Sequence, residues 1–147
     1  MKPIMDETHP GSVILVVDDC RMTRRLLSMY LRGAGYEVIV AENGLDALEK
    51  LGRESCAVVI TDLNMPQMNG IELTRSLKDH PCYQDLPVIM LTTQGEERER
   101  NSGLEAGVSA FLTKPITQEL LITEIARVLP PACQAVPAPM AKEPVRD

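Results

Sequence analysis

The chain has no tryptophan and a single phenylalanine in 147 residues, so aliphatic side chains must carry any core it forms. Basic charge is also short: 15 lysines and arginines face 21 aspartates and glutamates, a formal charge of -6. That balance lacks the electrostatic footprint of phosphate-backbone binding and argues against nucleic acid as a direct partner. Cys20, Cys56, Cys82 and Cys133 form no C-x-x-C pair and sit beside no histidine cluster. Zinc is therefore not expected, and packed, reduced thiols are, Cys20 included. No apolar run approaches the roughly 18 residues of a membrane span. The opening MKPIMDETHPG is broken by Pro3, Asp6, Glu7 and Pro10, unlike a secretory leader. A cytoplasmic protein with no membrane partner is expected.

What is present is an alternation of two hydrophobic periods. Short runs rich in β-branched residues recur at 13–17 (VILVV), 37–41 (EVIVA), 57–61 (AVVIT), 87–91 (PVIML) and 109–113 (SAFLT), and each reads as a strand buried on both sides. Helical spacing fills the intervals. Leu26, Leu27, Tyr30 and Leu31 form one stripe while Arg21, Arg25, Ser28 and Arg32 form another, with Gly33 and Gly35 closing the helix. Leu121, Ile125, Val128 and Leu129 share the face of a last helix that Thr117 is placed to cap. Five successive β-α units predict an α/β domain: a parallel sheet covered by helices on both faces. Boundaries at 12 and 129 leave an N-terminal tail, 1–11, and a Pro/Ala-rich tail or linker, 130–147, which holds five of the 11 prolines and lacks apolar period.

The strands end on polar groups. SVILVVDD closes on Asp18 and Asp19, VVITD on Asp62, PVIMLTT on Thr92 and Thr93, and SAFLTK on Lys114. Ligands of open parallel sheets bind outside the carboxyl ends of the strands. A single aspartate there is ordinarily a cap or turn residue, but four strands delivering polar groups to one rim call for another explanation. Carboxylates gathered at ~4 Å repel by about 4 kcal/mol per pair at an effective dielectric near 20, so a cation is expected among them. An all-oxygen set suits Mg²⁺, with Mn²⁺ as the substitute. Such a rim also suits phosphoryl transfer, with an aspartate as nucleophile, Lys114 pairing with the new charge and Thr92 donating a hydroxyl.

These segments, VVDDCRMTRR, TDLNMPQMNG, LTT and FLTKP, resemble the marker segments of two-component response-regulator receiver domains of the single-domain, CheY-like kind, over about residues 12 to 129. The resemblance implies a (βα)5 flavodoxin-like fold of strand order 2-1-3-4-5 and a cis Lys114-Pro115 bond. It implies Asp62 as phosphoacceptor, Asp19 as direct and Asp18 as water-mediated Mg²⁺ ligand, and the Asn64 main-chain carbonyl as a further ligand. Thr92 and Phe111 become switch residues, Lys114 the phosphate-pairing lysine. Asn64 and Gln94 flank the path of attacking water, and as amides are poor general bases, so slow to moderate self-dephosphorylation is expected. The implied partners are a sensor histidine kinase or histidine phosphotransfer protein and an unknown protein target, reached through the face of the fourth helix, fifth strand and fifth helix.

Other readings are a phosphorelay intermediate or phosphate sink, the receiver fragment of a larger regulator, and a degenerate receiver acting only in docking. An aspartate-based phosphatase of the haloacid dehalogenase kind would need an acid two residues past its nucleophile, where this chain has Asn64. The expected protein is thus a phosphoacceptor signalling domain and not an enzyme. Two further features read as local structure: EERER at 96–100 as a solvated helix face with a Glu96 to Arg100 pair, and Met65 with Met68 as turn packing about Pro66.

Overall fold

Five strands and five helices alternate along the chain in the computed structural model, which describes residues 12–93 and 98–129. They are β1 (Val13–Val17), α1 (Arg21–Gly33), β2 (Glu37–Ala41), α2 (Gly44–Arg53), β3 (Val58–Asp62), α3 (Gly70–Lys78), β4 (Val88–Thr92), α4 (Arg98–Ala106), β5 (Ala110–Thr113) and α5 (Gln118–Val128). Both predicted tails, Gln94 and Glu96 lie outside the described residues. All neighbouring strands pair in parallel, in the order β2-β1-β3-β4-β5. The expected order 2-1-3-4-5 is therefore the observed one.

Period-two alternation sorts the strand side chains into two cores. Ile14 and Val16 of β1 join Val58, Ile60, Ile89 and Leu91 beneath α1 and α5, which contribute Leu27, Leu31, Leu121 and Ile125. Leu15 and Val17 point the other way, to Val59 and Met90, beneath α2, α3 and α4. Fully burying each such aliphatic side chain contributes about 1.5–3 kcal/mol, which is how a chain nearly free of aromatics assembles a sheet with two covered faces.

The helix ends follow local chemistry. Asn43 caps α2 by accepting the Asp46 N–H, Thr117 caps α5 by accepting the Leu120 N–H, and Asn69 and Glu72 form a reciprocal capping box at α3. Gly35, at φ 98°, supplies the left-handed residue after α1.

Several expectations need correction. Strands β3, β4 and β5 each begin one residue later than their sequence runs. β2 is an edge strand with one neighbour, and Glu37 and Val40 on it are exposed, so it is not buried on both sides. In α1, Ser28 is buried and Leu26 exposed, because the helix is rolled so that Leu27 and Leu31 face the sheet. Val128 is only half-buried. Cys20 is exposed, not packed, since it stands at the N-terminal end of α1 outside the sheet. Among the described residues no helix is long and apolar enough to cross a membrane.

Candidate functional site

Asp18 and Asp62 end up at one rim for simple reasons of register. β1 and β3 are central neighbours, with Val17 opposite Thr61, so the residues following Val17 and Thr61 emerge side by side. The Asp18 N–H bonds the Ala41 carbonyl at 3.1 Å and carries the ladder one residue past β1. The Asp18 carboxylate is fully buried, and its Oδ1 accepts the Cys20 N–H at 2.8 Å, which turns the chain into α1 and leaves Asp19 exposed. One carboxylate oxygen from each of Asp18, Asp19 and Asp62 falls within a set no more than 4.8 Å across.

Lys114 closes the rim from the far side. Its Nζ lies 3.0 Å from Asp62 Oδ1 and 3.5 Å from Asp18 Oδ2. At the end of β5 the Lys114 N–H bonds the Thr92 carbonyl at 2.7 Å, and the Lys114-Pro115 bond is cis, as the resemblance implies. Thr92 is buried at the end of β4, one residue past the Asp62–Leu91 register pair. Phe111 is half-buried on β5, and the Arg100 guanidinium of α4 lies over its ring, 4.8 Å from the centroid. Asn64 is exposed on the turn after β3.

The turn carrying Met65, Pro66 and Met68 is tied back tightly. The Leu63 N–H bonds the Leu91 carbonyl at 3.0 Å, and the Gly70 N–H bonds the Leu63 carbonyl at 2.9 Å. Gly70 has to be glycine for space: a Cβ there would collide with the Asp62 carbonyl oxygen and come within 2.7 Å of Met90 Sδ. Both methionines are half-buried against the core, which bears out their reading as turn packing.

The electrostatics record the crowding. Burial, helped by the negative charge of Asp18, pushes the Asp62 carboxyl up to about 6 even though Lys114 pulls the other way. Burial likewise raises Asp18. Burial alone would depress Lys114, but its hydrogen bond and charge pairing with Asp62, supported by Asp18, outweigh it and raise the ammonium. Charge is missing from this rim: three carboxylates meet one cation. An oxygen-only donor set with no nitrogen or sulfur fits a hard divalent ion such as Mg²⁺.

One neighbour escaped the sequence reading. Arg24 Nη1 donates to the Asp18 main-chain oxygen at 2.7 Å, from six residues further along the chain. Arg24 is the fourth residue of α1, and no periodic signal says that its side chain folds back toward the strand end.

Comparison with known proteins agrees with this architecture. A family model, the response regulator receiver domain, matches residues 14–126. The chain is similar to the chemotaxis protein CheY1 of Helicobacter pylori, 40% identical over 118 residues, which is 79% of this chain and 95% of that one. Among solved structures it resembles the Vibrio cholerae chemotaxis protein CheY4, with TM-score 0.77, 35% identity and coverage of 81% of this chain and 99% of that one. It also resembles the receiver domain of a Pseudomonas aeruginosa sensor histidine kinase that holds a magnesium ion in its active site cleft, with TM-score 0.74, 26% identity and coverage of 80% and 96%. The chain belongs to the response-regulator receiver family of two-component signalling.

Proposed function

We propose that the protein is a response regulator that accepts a phosphoryl group on Asp62 from a histidine kinase or histidine phosphotransfer protein in the cytoplasm and then changes its affinity for a protein target. The observation that carries this reading is the contact of Lys114 Nζ with Asp62 Oδ1, 3.0 Å, beside two further carboxylates. An Asp62 oxygen attacks the phosphorus of a phosphohistidine, the phosphorus–nitrogen bond breaks, and the imidazole leaves with its electron pair. Lys114 follows the new negative charge, and the Thr92 hydroxyl donates to a phosphoryl oxygen.

Mg²⁺ would be held by Asp19, Asp62 and the Asn64 carbonyl directly and by Asp18 through water; it would supply charge neutralisation for the transferring oxygens. Support for that division comes from Asp18 itself, whose Oδ1 takes the Cys20 N–H and whose Oδ2 faces Lys114. Asp19, exposed beside it, is the carboxylate left to meet an ion from solvent.

The test is intact-mass analysis after acetyl phosphate and Mg²⁺. The wild type should gain one phosphoryl group and Asp62→Ala none. Undiminished labelling of Asp62→Ala would overturn the assignment. NMR of Phe111 and α5 with beryllofluoride then separates a switch acting through α4, β5 and α5 from a phosphate sink. Only the former moves signals beyond the rim.

A further inference from the structure

We propose that the outer face of α1, where it meets the β2 edge, binds a soluble organic polyphosphate of nucleotide size. A groove of about 750 Å³ opens there, lined by Arg21, Arg24, Arg25 and Arg32. That volume lies in the ~300–1,000 Å³ range typical of small-ligand sites. The same groove is lined by the buried Ser28 and by two exposed apolar side chains, Met29 of α1 and Val40 of β2.

Four guanidiniums on one helix face are unexpected in a chain of charge -6. α1 contains no acidic residue, and among the described residues none of these arginines pairs with a carboxylate. Like charges three and four residues apart weaken a helix, and of the four only Arg24 is bonded into the fold among the described residues, to the Asp18 main-chain oxygen, so folding does not account for Arg21, Arg25 and Arg32. An anion does. The guanidinium fork matches phosphate oxygens two at a time.

The spread of the arginines sets the kind of anion. Arg21 and Arg32 are 11 positions apart, or ~16 Å along a helix rising 1.5 Å per residue, more than a single phosphate can bridge. Adjoining phosphoryl groups reach only part of that length, so they would pair with guanidiniums toward one end of the groove, and an organic body fills the rest, against the apolar wall of Met29 and Val40. An acidic peptide adding to the β2 edge is less well served, because the Val40 carbonyl beside the groove already accepts the Lys50 ammonium at 2.6 Å.

The experiment is an amide NMR and calorimetric titration of the full chain in EDTA, which keeps metal-bound nucleotide off the acidic rim. The probes are ADP, pyrophosphate, inorganic phosphate, hexaglutamate and phosphatidylglycerol vesicles. ADP should saturate, with shifts confined to α1 and the Val40 region, and should bind more tightly than pyrophosphate or phosphate. Arg25→Gln with Arg32→Gln should weaken ADP by about tenfold or more, while Arg75→Gln on α3 leaves it unchanged. Both groove positions are exposed, so the fold is expected to survive. Should the double variant unfold, the wild-type titration still decides. No saturation, shifts scattered over the surface, or a tighter response to hexaglutamate or vesicles at these residues would overturn the proposal.

Discussion

α3 and α4 are each nine residues long, follow neighbouring strands and flank the same rim, yet they are held in different ways. α3 buries Gly70, Ile71, Leu73, Thr74 and Leu77, starts in a capping box, and has the Thr74 hydroxyl bonded to the Gly70 carbonyl at 2.8 Å. Of the described α4 side chains and glycines, only Gly103 and Ala106 are buried, while Leu104 is 55% exposed. Burial of apolar area is the main term holding a surface helix to a sheet. The turn behind Asp62 is therefore anchored, and the wall beyond Thr92 is tied lightly. Segments with little buried apolar surface open at low free energy, so a signal raised at Asp62 meets a stiff side and a compliant one. That asymmetry gives the proposed switch its direction, toward α4 and β5.

The sharpest way to break the comparison is to place the same methyl group on each side. Gly70→Ala drives a Cβ into the Asp62 carbonyl, which belongs to a central strand and cannot retreat. Urea denaturation should show a loss of about 3 kcal/mol, and Mg²⁺ titration a weaker site. A variant as stable as the parent would mean that the β3–α3 turn is not rigid.

A slightly smaller effect is expected from Asp62 itself. Its carboxyl is pushed up to about 6 from 3.8, so between those values the folded state holds more protons than the unfolded one. Stability therefore falls as pH rises through that window, and the deficit is complete above it. Asp62→Asn removes it. Without metal, the variant should be more stable than the parent at pH ~8 by on the order of 2–3 kcal/mol, with the difference fading toward pH ~4. Equal stability curves from denaturant melts across that range would show that the rim carboxylates are not strained.

Gly103→Ala is the counterpart on the compliant side. Its Cβ would come within 2.8 Å of Phe111 Cζ, the far end of a side chain that can turn away. The cost should be offset in part by the better helix propensity of alanine, leaving a change under about 1 kcal/mol, but the Phe111 ring signals should shift. A loss as large as that at Gly70 would erase the distinction between the two helices. Smallest of all is Arg100→Ala, which removes an exposed guanidinium from the Phe111 ring. About 0.5–1 kcal/mol is expected, read most clearly as faster averaging of the ring by NMR.

Much of this was legible in the residues. β-branched runs ending in Asp18, Asp62, Thr92 and Lys114 announced both the parallel sheet and the rim, because strand periodicity and strand ends are local properties. Thr117 announced its own cap. The misses have a common cause. Leu26 was assigned to the buried stripe and Ser28 to the opposite one from spacing, and Cys20 was read as packed, but how far a helix is rolled on a sheet and where its end emerges depend on what it packs against. The contact of Arg100 with the Phe111 ring of the next strand had no signal in the sequence, because it joins residues of separate elements.

By itself the order of residues determined the five strands, the five helices, their parallel sheet and the polar character of the rim, since each follows from apolar period and turn chemistry within a few residues. Only the tertiary structure decided which of the rim groups interact and how strongly. Lys114 reaches Asp18 across 96 positions of sequence, and the protonation of Asp62 is set by burial and by charges from other strands. Coulomb energy and desolvation depend on distance through space and on what excludes water, and neither quantity exists along an unfolded chain.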